Sequence, residues 1–280
     1  MKKFAVIFII LLTILFPIVN AGFINSDIKM EMNELSPISV GEKIYRDLNI
    51  TFSWGYGLLF PSSLEIFLEV ETPEWLTVSL SENSFKLTPQ GFYGGEINKS
   101  IKVEFFARKE VEGFVEYPFK IRAYTDGNLL LKGCKEEITM NVMQNFYDRG
   151  IGVEFPSKIS IIKGETLYFT MNITNNCNSL IEINLKTENI SKIKILHEKK
   201  FSVPPHTKKS LNVRVIANET GEEDGKIILI YYPSADKNIT NYVEIPIKVV
   251  CSEKASNLWV LILTVTVIIL ILIYILWKKK

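Results

Sequence analysis

The chain has 280 residues, 47% hydrophobic and 22% charged, which predicts two domains of ordinary size. Five of the 32 basic residues (Lys2, Lys3, Lys278, Lys279, Lys280) lie in or beside two apolar terminal runs. That leaves 27 basic against 31 acidic residues between them, a net charge of −4. This excludes a nucleic-acid binder, which needs a basic surface to displace counterions, and three cysteines are too few for a disulfide scaffold.

In chain order, Met1-Lys2-Lys3 precedes an apolar stretch of 16 residues, 4–19, and then Asn20-Ala21-Gly22. A basic start, a short apolar run and small residues before a cut after Ala21 read as a signal peptide over 1–21. Residues 22–145 then read as a first β-sandwich. Leu64, Ile66, Leu68 and Val70 alternate with Glu65, Phe67, Glu69 and Glu71, the period of a strand with one buried face. A hairpin is expected where Tyr117–Tyr124 turns at Thr125-Asp126-Gly127-Asn128 and returns through Leu129 to Val142, because Asp-Gly suits tight turns.

Residues 146–252 read as a second, immunoglobulin-like sandwich of about seven strands. Its clearest alternations are Leu167 to Thr174, Ile181 to Lys186, Leu211 to Ala217 and Tyr242 to Val249. Turns are expected at Gly164-Glu165, Asn175-Asn176, Pro204-Pro205, Gly221 to Gly225 and Pro233-Ser234. A linker, 253–257, leads to an apolar run of 20 residues, 258–277, bounded by Trp259 and Trp277 and followed by the tail Lys278–Lys280. At about 1.5 Å per residue the run matches the roughly 30 Å hydrocarbon core. Tryptophans at both ends and lysines after the second predict a transmembrane helix with a cytoplasmic C-terminus. The fold class is therefore an all-β ectodomain of two tandem sandwiches, with an N-terminal signal and one C-terminal membrane helix.

Several segments carry a family likeness. Glu154-Phe155-Pro156, Lys163-Gly164-Glu165, Thr170 to Asn175, Val203-Pro204-Pro205-His206 and Pro73-Glu74-Trp75-Leu76-Thr77-Val78 resemble the immunoglobulin-like repeat domains of archaeal and bacterial surface proteins, of the adhesion-related and S-layer-associated kind. The resemblance implies extracellular architectural or adhesive modules. It carries no catalytic residues over.

Six Asn-x-Ser/Thr triplets, at Asn49, Asn98, Asn172, Asn189, Asn218 and Asn238, are candidate glycan acceptors. Asn172 falls on the polar phase of its strand, and Asn189, Asn218 and Asn238 fall in expected turns. Cys177 and Cys251 are expected at opposite ends of the second sandwich, too far apart for a disulfide. Glu219, Glu222, Glu223 and Asp224 could offer oxygens to calcium, but their spacing matches no calcium loop and reads as a solvated turn. His197 and His206 are expected in exposed loops. No catalytic or phosphate-binding pattern is present, so no enzyme activity, cofactor or metal is expected.

Two loops stand out, Trp54 to Pro61 and Phe92 to Gly95. Trp54, Tyr56, Phe60, Phe92 and Tyr93 either form a contact surface or plug the end of their own sandwich. Trp54 continues the inward phase of Leu48, Ile50 and Phe52, whereas Phe60 beside Pro61 has the better claim to solvent. The function expected is that of a single-pass cell-surface protein acting as a structural or adhesive module. The alternative is an accessory extracellular subunit of a transport or secretion complex. The expected partners are the bilayer, through 258–277, and a surface protein.

Overall fold

A computed structural model describes residues 22–254 and 258–278, and the signal-like segment lies outside the described residues. The chain divides into two compact units, Met1–Arg149 and Gly150–Lys280. Unit 1 is built from β1 (Ser26–Met32), β2 (Lys43–Trp54), β3 (Leu64–Glu71), β4 (Leu76–Leu80), β5 (Ser84–Leu87), β6 (Gly95–Ala107), β7 (Glu116–Gly127) and β8 (Lys132–Met143). Its two sheets run β1-β2-β6-β4 and β5-β3-β7-β8, with every neighbouring pair antiparallel. The alternation seen in the sequence is the physical cause. Inward residues of both sheets, among them Phe52, Ile66, Phe105, Phe119 and Ile121, are buried in one core. Phe105 and Phe119 meet edge to face at 5.5 Å, and each fully buried ring contributes about 2–3 kcal/mol.

Unit 2 contains nine described strands rather than seven: β9 (Ile151–Glu154), β10 (Lys158–Ile162), β11 (Thr166–Asn175), β12 (Ile181–Glu188), β13 (Ile193–Leu196), β14 (Lys200–Val203), β15 (Lys208–Ala217), β16 (Gly221–Pro233) and β17 (Asn241–Ser252). Its sheets run β13-β15-β11-β9 and β10-β17-β16-β12-β14. Both expected turns at charged or glycine-rich stretches need correction. Gly221 to Gly225 is the start of β16, paired with β17 from Gly221↔Cys251 onward. The β7–β8 hairpin closes at Gly127↔Lys132, and its loop is Asn128 to Leu131. There the Asn128 side-chain oxygen accepts both the Leu130 and Leu131 N–H groups at 2.9 Å, an Asx device that outweighs the tight Asp-Gly turn.

The two units share one topology, strand for strand, and β10 is the additional ribbon in unit 2. Residues recur at equivalent register positions. Gly41-Glu42, Tyr45 and Asn49-Ile50-Thr51 match Gly164-Glu165, Tyr168 and Asn172-Ile173-Thr174. Ile50 pairs with Lys99, and Ile173 with Lys209. The Lys99 and Lys209 ammonium groups lie 5.8 and 5.2 Å from the ring centres of Phe85 and Phe201. Gly41 N–H donates to Ala107 O, and Gly164 N–H to Ala217 O. The parallel bridge Ile38↔Gln144 in unit 1 corresponds to Ile161↔Cys251 in unit 2. The strand-built part of the chain is therefore an internal duplication.

Glu223, expected in a solvated turn, is half-buried. Its carboxylate accepts the N–H groups of Ser191 and Lys192 at 2.9 and 2.7 Å and the Ser191 hydroxyl at 2.9 Å, closing the β12–β13 turn. Burial pushes its carboxyl up, but these donors outweigh burial and hold it below its ordinary value of 4.5. A depressed folded-state value means the stabilisation is complete above about pH 4.5 and is lost as pH falls through the depressed value. The protection of the Ser191 and Lys192 amides, taken relative to the slower intrinsic exchange in acid, is expected to fall on acidification below that point. Glu223→Gln should remove this pH step, and an unchanged step in that variant would refute the assignment.

The chain ends in one described helix, α1 (Leu258–Lys278), of 21 residues. Among the described residues no helix is long and apolar enough to cross a membrane. A bilayer span thus rests on the full sequence of 258–277.

Candidate functional site

Strand direction brings four separate segments to one end of unit 1: residues 22–25, the β2–β3 loop 55–63, the β5–β6 loop 88–94 and the β7–β8 loop 128–131. Backbone bonds stitch them together. Gly55 N–H donates to Asn25 O at 2.9 Å, Gly57 N–H to Phe92 O at 2.8 Å, Ser62 N–H to Pro89 O at 3.0 Å and Ile24 N–H to Leu130 O at 2.8 Å. Asn128 ties its own loop to the β2–β3 loop through its amide, which donates to Ser62 Oγ at 2.9 Å and Ser63 O at 3.0 Å. Loops cross-tied in this way are a pre-formed surface, which lowers the ordering cost of any contact.

Apolar rings cover this pole. Tyr56 and Phe92 meet at 4.2 Å between centroids, Phe92 and Tyr93 at 5.5 Å, and Tyr56 and Tyr93 at 6.0 Å, all edge-on or tilted. Tyr93 is 88% exposed and Phe60 71%. Of the eight most exposed large apolar side chains in the strand-built units, six lie here: Phe23, Tyr56, Leu59, Phe60, Tyr93 and Leu129. The four segments contain no Asp, Glu, Lys or Arg, in a chain that is 22% charged. A monomer seldom leaves a patch of this kind without a contact to make.

Trp54 does not belong to this surface. It is 8% exposed, and its ring lies over Gly95, where an added Cβ would come within 2.7 Å of it. Gly94, at φ +87°, lets the backbone pass the Trp54 carbonyl. The inward phase of β2 is the reason: Trp54 follows Leu48, Ile50 and Phe52 at period two, so it caps the core while Tyr56, beyond the strand, turns out. Phe92 is half-buried and supports the two tyrosines.

The duplication explains where this pole came from. Equivalent residues lie 123 apart before the β2–β3 loop (Asn49, Asn172) and 117 after it (Ile66, Ile183). They lie 116 apart before the β5–β6 loop (Phe85, Phe201) and 110 after it (Lys99, Lys209). Each of the two aromatic connections thus holds six more residues between equivalent positions than its counterpart in unit 2, shared between longer strand ends and longer loops (55–63 against 176–180, and 88–94 against 204–207). Those shorter loops carry none of the large exposed apolar side chains. In their place, buried Asn175 donates to Ser179 O at 2.9 Å and to Val203 O and Pro204 O at 3.0 Å, and accepts Cys177 N–H at 2.9 Å.

The other sequence candidates are dispersed. Asn49 and Asn98 are exposed on adjacent strands, with Thr51 Oγ donating to Asn98 Oδ1 at 2.6 Å. Asn172 is half-buried, its amide donating to Glu154 at 2.9 Å. Asn189, Asn218 and Asn238 are exposed outside strands. Cys177 lies beside Gly150, where unit 2 begins, and Cys251 lies in β17 opposite Gly221. Among the described residues no group of three His, Cys, Asp or Glu could hold a metal, and Glu222 pairs with Lys248 at 2.9 Å. A groove of about 600 Å³ crosses β3, β7 and β8 beside Arg122. That guanidinium is already committed to Glu137 at 2.8 Å and Glu69 at 3.5 Å.

No protein-family model matches the chain, and no curated protein matches it in sequence. Among solved structures, it is similar to a PapD-like domain of human CEP192 at 8% identity, over 37% of this chain and 86% of that one, with a TM-score of 0.33. A protein of unknown function from Porphyromonas gingivalis W83 is 13% identical over 79% of this chain and 99% of that one, with a TM-score of 0.30. Domains 4 and 5 of the S-layer protein SbsC are 13% identical over 49% of this chain and 66% of that one, at 0.27. Likenesses this low carry no argument about activity. The all-β architecture of two sandwiches stands on the strand pairings themselves.

Proposed function

We propose that this chain is a surface-displayed, non-enzymatic interaction module: two duplicated sandwiches carried on a C-terminal membrane helix, making contact through the aromatic pole of unit 1. The observation that carries this reading is the concentration of exposed apolar side chains on a pole without charge. The 20-residue apolar run 258–277, its flanking tryptophans and the terminal lysines support anchoring with the sandwiches outside. Kinship with the repeat domains of prokaryotic surface proteins belongs to the same reading.

Hydroxyl-radical footprinting on intact cells tests it. Tyr56, Phe60 and Tyr93 are expected to be oxidised much less on cells than in the detergent-solubilised chain, while Tyr168 and Tyr242 react alike in both. Equal oxidation of the pole in the two preparations would refute the contact role. Failure of an externally added radical source to reach Tyr168 and Tyr242 on cells would refute surface display.

A further inference from the structure

We infer that unit 1 carries a binding notch for neutral saccharide, at the end of β2 opposite the aromatic pole. Register fixes the place. β1 pairs with β2 from Ser26↔Trp54 to Met32↔Leu48, and the chain then crosses to the other sheet, where Ile38 bridges Gln144. Residues 43–47 of β2 keep β6 on one side and have no strand on the other among the described residues. A notch of about 490 Å³ is left there, lined by Glu31, Met32 and Asn33 on the departing chain and by Tyr45, Arg46 and Asp47 on β2. Small-molecule sites are of this size, roughly 300–1,000 Å³. Tyr45 is nine residues from Trp54 along β2, about 30 Å at strand spacing, so the notch is separate from the pole.

Unit 2 shows the same position packed shut. Glu154↔Asn172 matches Glu31↔Asn49 in register, and Phe169↔Val213 matches Arg46↔Val103. There Phe155 and Phe169 meet edge to face at 5.9 Å, with Pro156 and Thr170 beside them in sequence. Unit 1 has Met32, Arg46, Asn33 and Asp47 at those four positions. An apolar plug is thus replaced by a guanidinium, a carboxylate and a carboxamide around open space. Arg46 is half-buried in the inward phase of Leu48 and Ile50, where a ring would pack better. Its guanidinium donates to Tyr45 O at 2.9 Å and has no ion pair among the described residues, which leaves most of its five N–H donors for a ligand.

The lining chemistry selects the ligand. Glu31 and Asp47 stand against Arg46 alone, so the notch offers no net attraction to an anion. Among the described residues no group of three carboxylate, thiol or imidazole side chains could hold a metal. Met32 is the one aliphatic side chain in the lining, too little for an apolar ligand. Carboxylates that accept, a guanidinium that donates and the Asn33 carboxamide that does both suit a ligand rich in hydroxyl groups. The Tyr45 ring, 57% exposed, supplies a face for sugar C–H groups. It is held in place by Glu104, which also pairs with Lys43 at 2.7 Å and pushes the Tyr45 hydroxyl above its ordinary value of 10.0.

The test places the full chain, in a detergent without a sugar headgroup, on an array of neutral oligosaccharides built from hexoses and N-acetylhexosamines, with uronic-acid and sulfated oligosaccharides beside them. Binding to a neutral oligosaccharide is expected. The double variant Arg46→Phe, Asp47→Thr should weaken it by about tenfold or more, the loss that goes with one charged hydrogen bond. Both substitutions install residues that unit 2 already carries at those register positions, so the sandwich should melt with the parent. Tyr45→Ala, at an exposed position where folding is little affected, should weaken binding as well and serves if the double variant does not fold. Binding to no neutral oligosaccharide, binding to the acidic ones alone, or equal binding by parent and variants would each overturn the inference. The array senses neither the membrane helix nor the aromatic pole, so these outcomes leave the surface-module reading to its own test.

Discussion

Replacing Asn175 with leucine is expected to cost unit 2 about 3 kcal/mol or more, although the two side chains have nearly the same volume. The leucine would take the donor from the Ser179 and Val203 carbonyls and the acceptor from the Cys177 N–H, while Pro204 O keeps the Thr207 hydroxyl at 2.9 Å. Each buried polar group stranded in this way costs about 1–3 kcal/mol. Asn175 and its neighbour Asn178 are fully buried, so water is a poor substitute. The loss should fall on the unit 2 transition alone in a denaturant titration, and Asn176→Ala, one position along and exposed, should stay within about 0.5 kcal/mol. A leucine variant as stable as the parent would mean that solvent reaches those carbonyls and that the amide is not the clamp.

Trp54→Ala and Phe60→Ala are six positions apart and should differ by several kcal/mol. Removing the Trp54 ring empties the space between Gly95 and the core and should cost about 3–5 kcal/mol, the range for buried aromatics. Among the described residues its indole N–H has no hydrogen-bond partner, so the cost comes from the cavity and lost packing and not from a broken hydrogen bond. Phe60→Ala should change stability by no more than about 0.5 kcal/mol. Thermal melts of the two variants decide the matter. A small loss at Trp54 would remove the reason for separating it from the contact surface, and a large loss at Phe60 would make that ring part of the core.

Much of the fold was legible because a half-buried strand writes its period directly into the sequence, as in Leu64 to Val70 and Leu211 to Ala217. Short strands were not: β13 and β14 have four residues each, too few for a period to stand out. Glycine and charge at 221–225 suggested a turn, but pairing with β17 and the Glu223 bonds to the next turn hold that stretch extended. The duplication was present in the sequence as Gly-Glu, Tyr and Asn-Ile-Thr at a spacing of 123. It was hidden because the spacing falls to 110 by β6 and β15, shifted mainly at the two aromatic loops. The site was half legible for a related reason. Glycine and aromatic residues marked the loops, but only strand order brings residues 23, 56, 93 and 129 to one end.

The duplication also gives the chain a sorting problem before it is folded. The β6 sequence Lys99-Ser100-Ile101-Lys102-Val103 and the β15 sequence Lys209-Ser210-Leu211-Asn212-Val213 share Lys, Ser and Val at the same register and place an aliphatic side chain, Ile101 or Leu211, at the same inward position. Each could therefore pair with the other unit's partner strand, β2 or β11. Misassembly between like units is a recurrent failure of repeated domains, and growth of the chain from its N-terminus at about 5–20 residues per second relieves it. Residue 143, which completes unit 1, emerges more than sixty residues before Lys208 starts β15. On a ribosome, β2 has found β6 before its rival exists; a denatured full-length chain offers both at once.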